Sequence, residues 1–120
     1  MSQILTLTMN PALDISTSID RVRPVHKLRC GEAQWHPGGG GINVARVLHR
    51  LGADVRAVYP AGGAIGQTLS RLLAEEGVAA EVVPIAGDTR ESFSAHETSS
   101  GQDFRFVLPG PTLSEAEWQQ

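Results

Sequence analysis

Two stripes of aliphatic residues at helical spacing, each followed by a short extended segment, constrain the fold of this chain more than any other feature. The first stripe is Val44, Val47, Leu48 and Leu51, and the second is Ile65, Leu69, Leu72 and Leu73. The extended segments that follow them are 54–59 and 78–85, and an alternating segment, 4–9, precedes them. Strands and helices in this close succession predict a parallel α/β sheet.

Four further extended segments predict strands beside this sheet. They are 15–19, 28–35, 91–97 and 103–108. Residues 91–97 and 103–108 are predicted to pair through a turn at 99–101, because Ser-Ser-Gly favours a turn there. The segment 28–35 is polar and has no single apolar face, so we expect a strand that leaves the core as a flap.

Charge and cysteine content exclude several classes of protein. Ten Lys and Arg residues against 13 Asp and Glu residues leave a net charge of −3, which argues against binding to nucleic acid or to an acidic membrane. The lone Cys30 excludes an internal disulfide, and no Cys/His spacing is typical of a zinc site. Without a basic N-terminal region or an apolar run of about 18 residues, we expect a cytoplasmic protein.

Four consecutive glycines, Gly38 to Gly41, stand directly before the first helical stripe. Glycine lets the backbone approach a ligand closely, and the free N–H groups at a helix N-terminus attract anions and hydroxyls. The run predicts a site for a phosphate or for sugar hydroxyls, and a plain flexible connection is the alternative. It is not a P-loop, since no Gly-Lys-Ser/Thr follows, and no strand directly precedes it as in a dinucleotide fingerprint.

These glycines cannot hold a sugar phosphate alone. A helix N-terminus contributes about 0.3–1 kcal/mol to a bound anion, whereas micromolar affinity takes about 8 kcal/mol. Candidate cations for the phosphate are Lys27, Arg29 and Arg90, because ammonium and guanidinium groups suit phosphate oxygens. Each of them, taken singly, also fits an exposed and solvated charge.

Asp14 and Asn43 are the polar candidates for sugar hydroxyls. A carboxylate at Asp14 can accept hydrogen bonds from two neighbouring hydroxyls, and the Asn43 amide offers both a donor and an acceptor. A turn aspartate and a capping amide are the alternatives. Arg46 and Arg50 fall opposite the apolar stripe and are interpreted as surface residues. The histidines, read as surface or structural, are His26, His36, His49 and His96.

The segment Ser114-Glu115-Ala116-Glu117 has the spacing of a capping box and predicts the start of a helix. An isolated helix needs about 12–15 residues to be even marginally stable, so we expect the chain to be the truncated front part of a longer protein. A partial parallel sheet leaves an unpaired edge. We therefore expect poor solubility of this piece by itself.

Taken together, these elements resemble the ribokinase-like (PfkB) carbohydrate kinases over essentially all 120 residues. The matching segments are Asn10 to Asp14, Lys27 to Cys30, Pro37 to Arg46, Pro60 to Gly63, Thr89-Arg90 and Phe104 to Val107. The Gly-Gly-x-Gly-x-Asn element at 38–43 is specific to the family. Gly40 and the Lys-Leu-Arg-Cys segment resemble the type 2 bacterial 6-phosphofructokinases, whereas Asn-Pro-Ala-Leu-Asp is shared with 1-phosphofructokinases and tagatose-6-phosphate kinases.

The resemblance implies a fold and an activity. Residues 1–120 would be the N-terminal part of a Rossmann-type α/β/α sandwich with a small β-sheet lid, whose strands lie at about 12–36 and 88–108. The implied reaction is ATP-dependent phosphorylation of a sugar phosphate, foremost fructose 6-phosphate to fructose 1,6-bisphosphate in glycolysis, with ATP and Mg²⁺. A 1-phosphofructokinase or tagatose-6-phosphate kinase is one alternative. A non-catalytic sugar-phosphate-binding or dimerisation module is an alternative of another class.

The resemblance also assigns roles to residues. The sugar would be held by Asp14, Gly38, Gly39, Gly40, Gly41 and Asn43, and its phosphate by Lys27, Arg29 and Arg90. The lid would clasp a second subunit, so that a homodimer forms and one protomer's lid reaches the other's site. In family members the aspartate general base and most of the ATP site lie in the later half. No catalytic residue is therefore assigned within this chain, and the piece alone is expected to show no kinase turnover.

Overall fold

The structure, a computed structural model, describes residues 3–119, and Met1, Ser2 and Gln120 at the ends of the predicted 1–120 portion lie outside that range. In chain order the elements are β1 (Ile4–Leu7), β2 (Ala12–Ile19), β3 (Gln34–Gly38), α1 (Gly40–Arg50), β4 (Val55–Ala61), α2 (Gly63–Glu75), β5 (Ala79–Pro84), β6 (Arg90–Glu97), β7 (Asp103–Val107) and α3 (Glu115–Trp118). Among residues 3–119, no helix combines the length and apolar character that crossing a membrane requires.

A parallel three-stranded sheet has the strand order β1-β4-β5 and forms one side of the hydrophobic core. Its register pairs Ile4 with Val55 and Val58 with Glu81. The residues that α1, α2 and this sheet bury together are Ile42, Ala45, Val55, Ala57, Tyr59, Ala61, Leu69, Leu73 and Val78. Each fully buried aliphatic side chain contributes about 1.5–3 kcal/mol. The predicted parallel α/β sheet is confirmed, as is the second helical stripe, because Leu69 and Leu73 are fully buried on α2.

A second, four-stranded sheet of order β3-β2-β6-β7 stands beside the first, and we call it the mixed sheet. Strand β2 runs parallel to β6, while β3 and β7 run antiparallel at the two edges. The register sets Asp14 between His36 and Ser92, and sets Arg105 opposite Ser94. Because side chains alternate across a strand, these polar residues share one face of the mixed sheet.

The predicted orientation of the first helical stripe is wrong for three of its four residues. Helix α1 forms where expected and Leu48 packs against the core, but Val44, Val47 and Leu51 are 51%, 52% and 77% exposed. The buried positions are Ile42 and Ala45 instead. The small Ala45 side chain lets the helix lie close to the sheet. The helical spacing of apolar residues therefore predicts the helix correctly, but the side that is buried differs from the predicted one.

Strand β1 is oriented with its threonines towards the helices. Thr6 pairs with the core residue Ala57 and is buried, whereas Leu5 and Leu7 are 64% and 65% exposed on the opposite face. That face of the parallel sheet is in part covered by the chain's last segment, because Leu113 and Trp118 line a small cavity there with Leu7. The remaining exposed leucines leave an apolar surface on this side of the sheet.

The predicted strand at 28–35 is also wrong, because the strand forms later, at Gln34–Gly38. Residues 28–33 lie beside the end of β2 but form no regular strand pairing with it. The contacts are two hydrogen bonds, in which the Gly31 N–H donates to Ser18 O at 2.8 Å and Thr17 Oγ1 donates to Gly31 O at 2.9 Å. Proline at position 37 is tolerated because β3 is an edge strand. The glycine run therefore follows directly after a strand.

The predicted capping box at Ser114 is confirmed. The Ser114 hydroxyl accepts from the Glu117 N–H at 3.3 Å, and the Glu117 carboxylate accepts from the Ser114 N–H at 2.8 Å. The same carboxylate also accepts from the Ala86 N–H at 2.8 Å. Glu117 thus attaches the short helix α3 to the segment that follows β5.

Candidate functional site

A cavity of about 440 Å³ opens between the polar face of the mixed sheet and the start of α1. Five ionisable residues contribute to its lining, namely Asp14, His36, Arg46, Arg90 and Arg105, and the apolar residues Ile15, Phe93, Phe106 and Val107 line it as well. Gly39 lines the same cavity. One carboxylate among three guanidinium groups makes this a place where an anion with hydroxyl groups can be held from several sides.

Asp14 lies in the second strand of the mixed sheet and is partly buried. Burial raises the pKa of its carboxyl group above the ordinary value, because removal from water penalises the charged form. The positive charges of Arg90, Arg105, His36 and Arg46 act in the opposite direction, with Arg90 the strongest, and they lower the pKa in part. The protein thus keeps a carboxylate at this position although burial disfavours its charge.

The backbone of the glycine run lies so close to its neighbours that an added side chain would overlap them at two positions. A Cβ at Gly38 would lie 2.5 Å from Asp14 Cγ, so the Asp14 side chain would have to move, and one at Gly41 would lie 2.8 Å from the Leu7 carbonyl oxygen, which is fixed backbone. Gly39 has φ 115°, which L side chains rarely adopt. Gly40 differs, because a Cβ there would meet nothing within 4 Å. The backbone geometry therefore requires Gly39 and Gly41, and the position of the Asp14 carboxylate requires Gly38.

The N-terminus of α1 is open to a ligand. Gly39 precedes the helix, no side chain caps it, and the first turn holds no acidic residue. The first N–H groups of a helix lack partners within the helix and carry partial positive charge. Asn43 belongs to this first turn and is exposed; its backbone N–H donates to Gly39 O at 2.9 Å.

Arg90 begins strand β6, lines the cavity and connects this strand to two other segments of the chain. Its guanidinium donates to Asn10 O at 3.0 Å and to Leu108 O at 3.3 Å. Its Nε is buried without a hydrogen-bond partner among the described residues. The preceding Thr89 is 4% exposed and accepts at Oγ1 from the Gly62 N–H at 3.1 Å. Thr89 thus fixes the position of Arg90 from the turn that precedes α2.

The interpretation of Arg46 as a surface residue is wrong. Its side chain is only 14% exposed, forms an ion pair with Glu76 at 2.9 Å, and donates to Pro37 O at 3.0 Å. Arg46 follows the buried Ile42 by one helical turn, and this spacing was the available signal. Arg50, with a side chain 63% exposed, is the surface residue expected. Arg46 therefore supports the strand that leads into the glycine run.

Sequence reasoning also missed His36 and Arg105 as cavity residues. His36 lies in β3 opposite Asp14, and Arg105 lies in β7. Alternation along each strand is visible in the sequence. The pairing that brings three separate strands onto one polar face is not, because register depends on contacts between distant segments.

Lys27 and Arg29 do not lie in this cavity. They line a second cavity of about 310 Å³, with Arg21, Arg23 and His26, in the segment between β2 and β3. Within one chain, the predicted phosphate-binding cations thus fall into two groups. Arg90 lines the same cavity as Asp14 and Gly39, whereas Lys27 and Arg29 lie apart from it.

A metal site is not formed by the described part of the chain. Among residues 3–119, no three His, Cys, Asp or Glu side chains cluster closely enough to hold an ion. The arrangement around Asp14 and Arg90 is one for recognising a polar, negatively charged small molecule.

The sequence matches the family described as pfkB family carbohydrate kinase over residues 7–120. It is 56% identical over 118 residues to the ATP-dependent 6-phosphofructokinase isozyme 2 of Mycobacterium tuberculosis, covering 98% of this chain and 35% of that protein. It is 45% identical to the isozyme 2 of Escherichia coli, covering all of this chain and 39% of that protein. The chain thus spans little more than a third of the length of these relatives.

A more distant relative is the tagatose-6-phosphate kinase of Staphylococcus epidermidis, 35% identical over 98% of this chain and 37% of that protein. Among solved structures, the chain is similar to the E. coli phosphofructokinase-2 in complex with fructose-6-phosphate. The TM-score is 0.94 at 44% identity, over 99% of this chain and 39% of that chain. A tetrameric inhibited form of the same E. coli protein matches with a TM-score of 0.92 at 44% identity, over 99% and 39% of the two chains.

Proposed function

Because the chain belongs to the pfkB family of carbohydrate kinases, we propose that it supplies the acceptor-sugar side of an ATP-dependent 6-phosphofructokinase. The reaction is the phosphorylation of fructose 6-phosphate to fructose 1,6-bisphosphate, carried out by a polypeptide that contains this chain. A cytoplasmic location belongs to the same proposal. The observation that carries it is the single cavity shared by Asp14, Arg90 and the glycine turn.

Each group at the site has a task in this proposal. The Asp14 carboxylate accepts hydrogen bonds from sugar hydroxyls, and the open N–H groups at the start of α1 donate to the sugar, with Asn43, which is exposed on the first turn of α1 and does not line the cavity itself. Arg90 faces the existing phosphate, and we add Arg105 to it because it lines the same cavity from the neighbouring strand. A sugar fixed on several sides presents its free hydroxyl in one orientation, which is what phosphoryl transfer requires.

ATP and Mg²⁺ are the cofactors that the family implies, and the described residues do not fit them. Among residues 3–119 no acidic or histidine cluster could hold a metal ion, and the charged residues of the cavity are mainly cations around one carboxylate. We therefore assign this chain's residues to the acceptor sugar and derive no step through the nucleotide.

We choose fructose 6-phosphate over tagatose 6-phosphate or fructose 1-phosphate because of the sequence identity to relatives of known name. Identity is 56% and 45% to the two proteins named 6-phosphofructokinase, against 35% to the one named tagatose-6-phosphate kinase.

The proposal is tested with the polypeptide encoded by the full reading frame that contains this chain, which we call the full polypeptide. We expect ADP release with ATP and Mg²⁺ to depend on fructose 6-phosphate, with a kcat/KM at least about tenfold above those for tagatose 6-phosphate and fructose 1-phosphate. Saturable sugar-phosphate binding without turnover would instead favour a binding module. A reversed order of the three sugars would overturn the substrate assignment.

We further propose that the outer face of the mixed sheet is a homodimer interface, and that it acts as a lid over the partner's cavity. This face exposes Trp35, Phe93 and Phe106, which are 50%, 37% and 59% exposed, and Phe93 and Phe106 also line the cavity that holds Asp14. The ring centroids of Phe93 and Phe106 are 6.4 Å apart. Aromatic residues of this kind are enriched at protein interfaces. In such a dimer Lys27 and Arg29 of one lid would reach the phosphate of the other protomer's sugar.

Phe93→Asp is expected to shift the full polypeptide from dimer to monomer, because a buried unpaired charge opposes association. Sedimentation velocity at several protein concentrations measures the shift. Phe93→Leu, which keeps the apolar surface, is the matched control and should remain dimeric. A Phe93→Asp variant that associates like the original protein would contradict this interface.

A further inference from the structure

The segment between β2 and β3 concentrates positive charge on a protein that is negative as a whole. Residues 20–31, which we call the basic loop, carry Arg21, Arg23, Lys27 and Arg29 against the single acid Asp20. All four cations are exposed. Like charges repel one another, so a loop of this composition needs fixed attachments if its cations are to stay in one arrangement.

One attachment is made by a buried carboxylate on a neighbouring strand. Glu97, the last residue of β6, is 8% exposed, and its Oε2 accepts from the Val22 N–H at 2.7 Å. Its other oxygen accepts from the Ser100 hydroxyl. These hydrogen bonds, that of Ser100 first and that of Val22 next, lower the pKa of Glu97. The carboxylate is therefore charged at neutral pH, where it is the stronger acceptor.

The turn after Glu97 adds further attachments to the same point. The Thr98 N–H donates to Ile19 O at 2.8 Å, and the Ser99 N–H donates to Asp20 O at 3.1 Å. At the other end of the loop, the Gly31 N–H donates to Ser18 O at 2.8 Å. The loop is thus attached at Asp20 and Val22 near its start and at Gly31 at its end, and the attachment of Val22 is made by the Glu97 side chain.

We propose that Glu97 is a positioning residue for phosphate binding: through Val22 it orients the basic loop, so that Lys27 and Arg29 meet the phosphate of the sugar substrate. Glu97 itself lies in the β6–β7 corner and touches no substrate in this arrangement. This inference rests on the proposed function, since it concerns the phosphate side of the same sugar. The inference gives Glu97 a role that neither the charge pattern nor the residue spacing of the sequence indicates.

The test compares Glu97→Ala with Glu97→Gln and with Glu91→Ala, a control on the same strand, in the full polypeptide. We expect Glu97→Ala to raise the KM for fructose 6-phosphate about tenfold while kcat and the KM for ATP change less than about twofold. Glu97→Gln keeps a neutral acceptor for the Val22 N–H and should restore part of the affinity. Glu91→Ala should match the original protein.

Removing the loop's cations gives the decisive comparison. In a Lys27→Ala/Arg29→Ala background, Glu97→Ala should raise the KM no further, because it acts only through those cations. An equal additional loss in that background would show a merely structural role and overturn the proposal. A fall in kcat without a change in KM would overturn it as well.

Limited trypsin digestion separates failure of this inference from failure of the proposed function. Trypsin cleaves after Arg21, Lys27 and Arg29 but poorly after Arg23, which precedes Pro24. Glu97→Ala should speed cleavage within the loop about tenfold, since local opening exposes the chain to protease. If the sugar phosphates gave no turnover but cleavage accelerated, the proposed function would fail while the anchoring of the loop stood. Unchanged cleavage would overturn the anchoring itself.

Discussion

Asp14→Asn in the full polypeptide is expected to lower kcat/KM for fructose 6-phosphate by about 10²–10³-fold. Asparagine keeps the shape of the side chain but removes the charge that accepts hydrogen bonds from sugar hydroxyls. A hydrogen bond to a charged group is worth about 1.5–3 kcal/mol, so losing the charge from two such bonds costs about 3–4 kcal/mol. Steady-state assays at varied fructose 6-phosphate measure the loss. A variant within about threefold of the original protein would remove Asp14 from the sugar site.

The same substitution is expected to raise stability at neutral pH. Burial raises the pKa of Asp14 in the folded state above its ordinary value of 3.8, so ionising this group opposes folding. The penalty is absent below pH 3.8, where both states hold the proton, and it develops as the pH rises through the folded-state pKa. Denaturant unfolding should therefore show Asp14→Asn more stable at pH 7, with the difference shrinking in acid.

Asp54→Asn is the control for turnover, because Asp54 is exposed directly before β4 and lies outside the cavity. It should leave kcat/KM for fructose 6-phosphate unchanged. A loss of stability for Asp14→Asn at pH 7 would contradict the view that this carboxylate is kept for binding at a cost to the fold. Retaining a disfavoured charge is a common feature of functional sites.

Periodicity was enough to predict the parallel sheet and its two helices. A repeat of 3.6 residues is a local property, and it marks α2 with the correct buried face through Leu69 and Leu73. On α1 the same signal gave the helix but not its orientation, since Ile42 and Ala45 face the sheet instead of Val44 and Val47. Aliphatic residues occur on more than one side of α1, so the sequence alone does not show which side of the helix packs against the sheet.

The candidate site also contains residues that the sequence identified and residues that it did not. The close approach of backbone to side chain at Gly38 and the place of Arg90 near Asp14 agree with what the resemblance implied, and their roles in binding stay predictions. Sequence reasoning did not identify three of the residues that line the cavity. They are His36 and Arg105, which the strand register brings there, and Arg46, which a helix-to-strand contact places there. Lys27 and Arg29 lie apart from this cavity within one chain, and their approach to a bound sugar belongs to the proposed dimer.

Gly38→Ala is the second substitution for which we expect a large effect. The added methyl group would overlap the Asp14 carboxylate, whose Cγ would lie 2.5 Å from it. Asp14 can rotate away at moderate cost, about 1–3 kcal/mol for overpacking, but it then no longer points at the sugar. Misplacing a binding group by about 1 Å can cost about 10²-fold in rate. We therefore expect kcat/KM to fall about 10²-fold, measured by the same steady-state assay.

Gly40→Ala provides the matched control two residues away. A Cβ there meets nothing within 4 Å, and alanine at the start of α1 is expected to stabilise the helix by about 0.5–1 kcal/mol while leaving turnover nearly unchanged. The coupling between Gly38 and Asp14 is then isolated by a double substitution. If Gly38→Ala acts by displacing the carboxylate, it should cost almost nothing in an Asp14→Ala background. A full additional loss there would mean that the methyl group disturbs the open N-terminus of α1 directly, and the assignment of this glycine to Asp14 would be wrong.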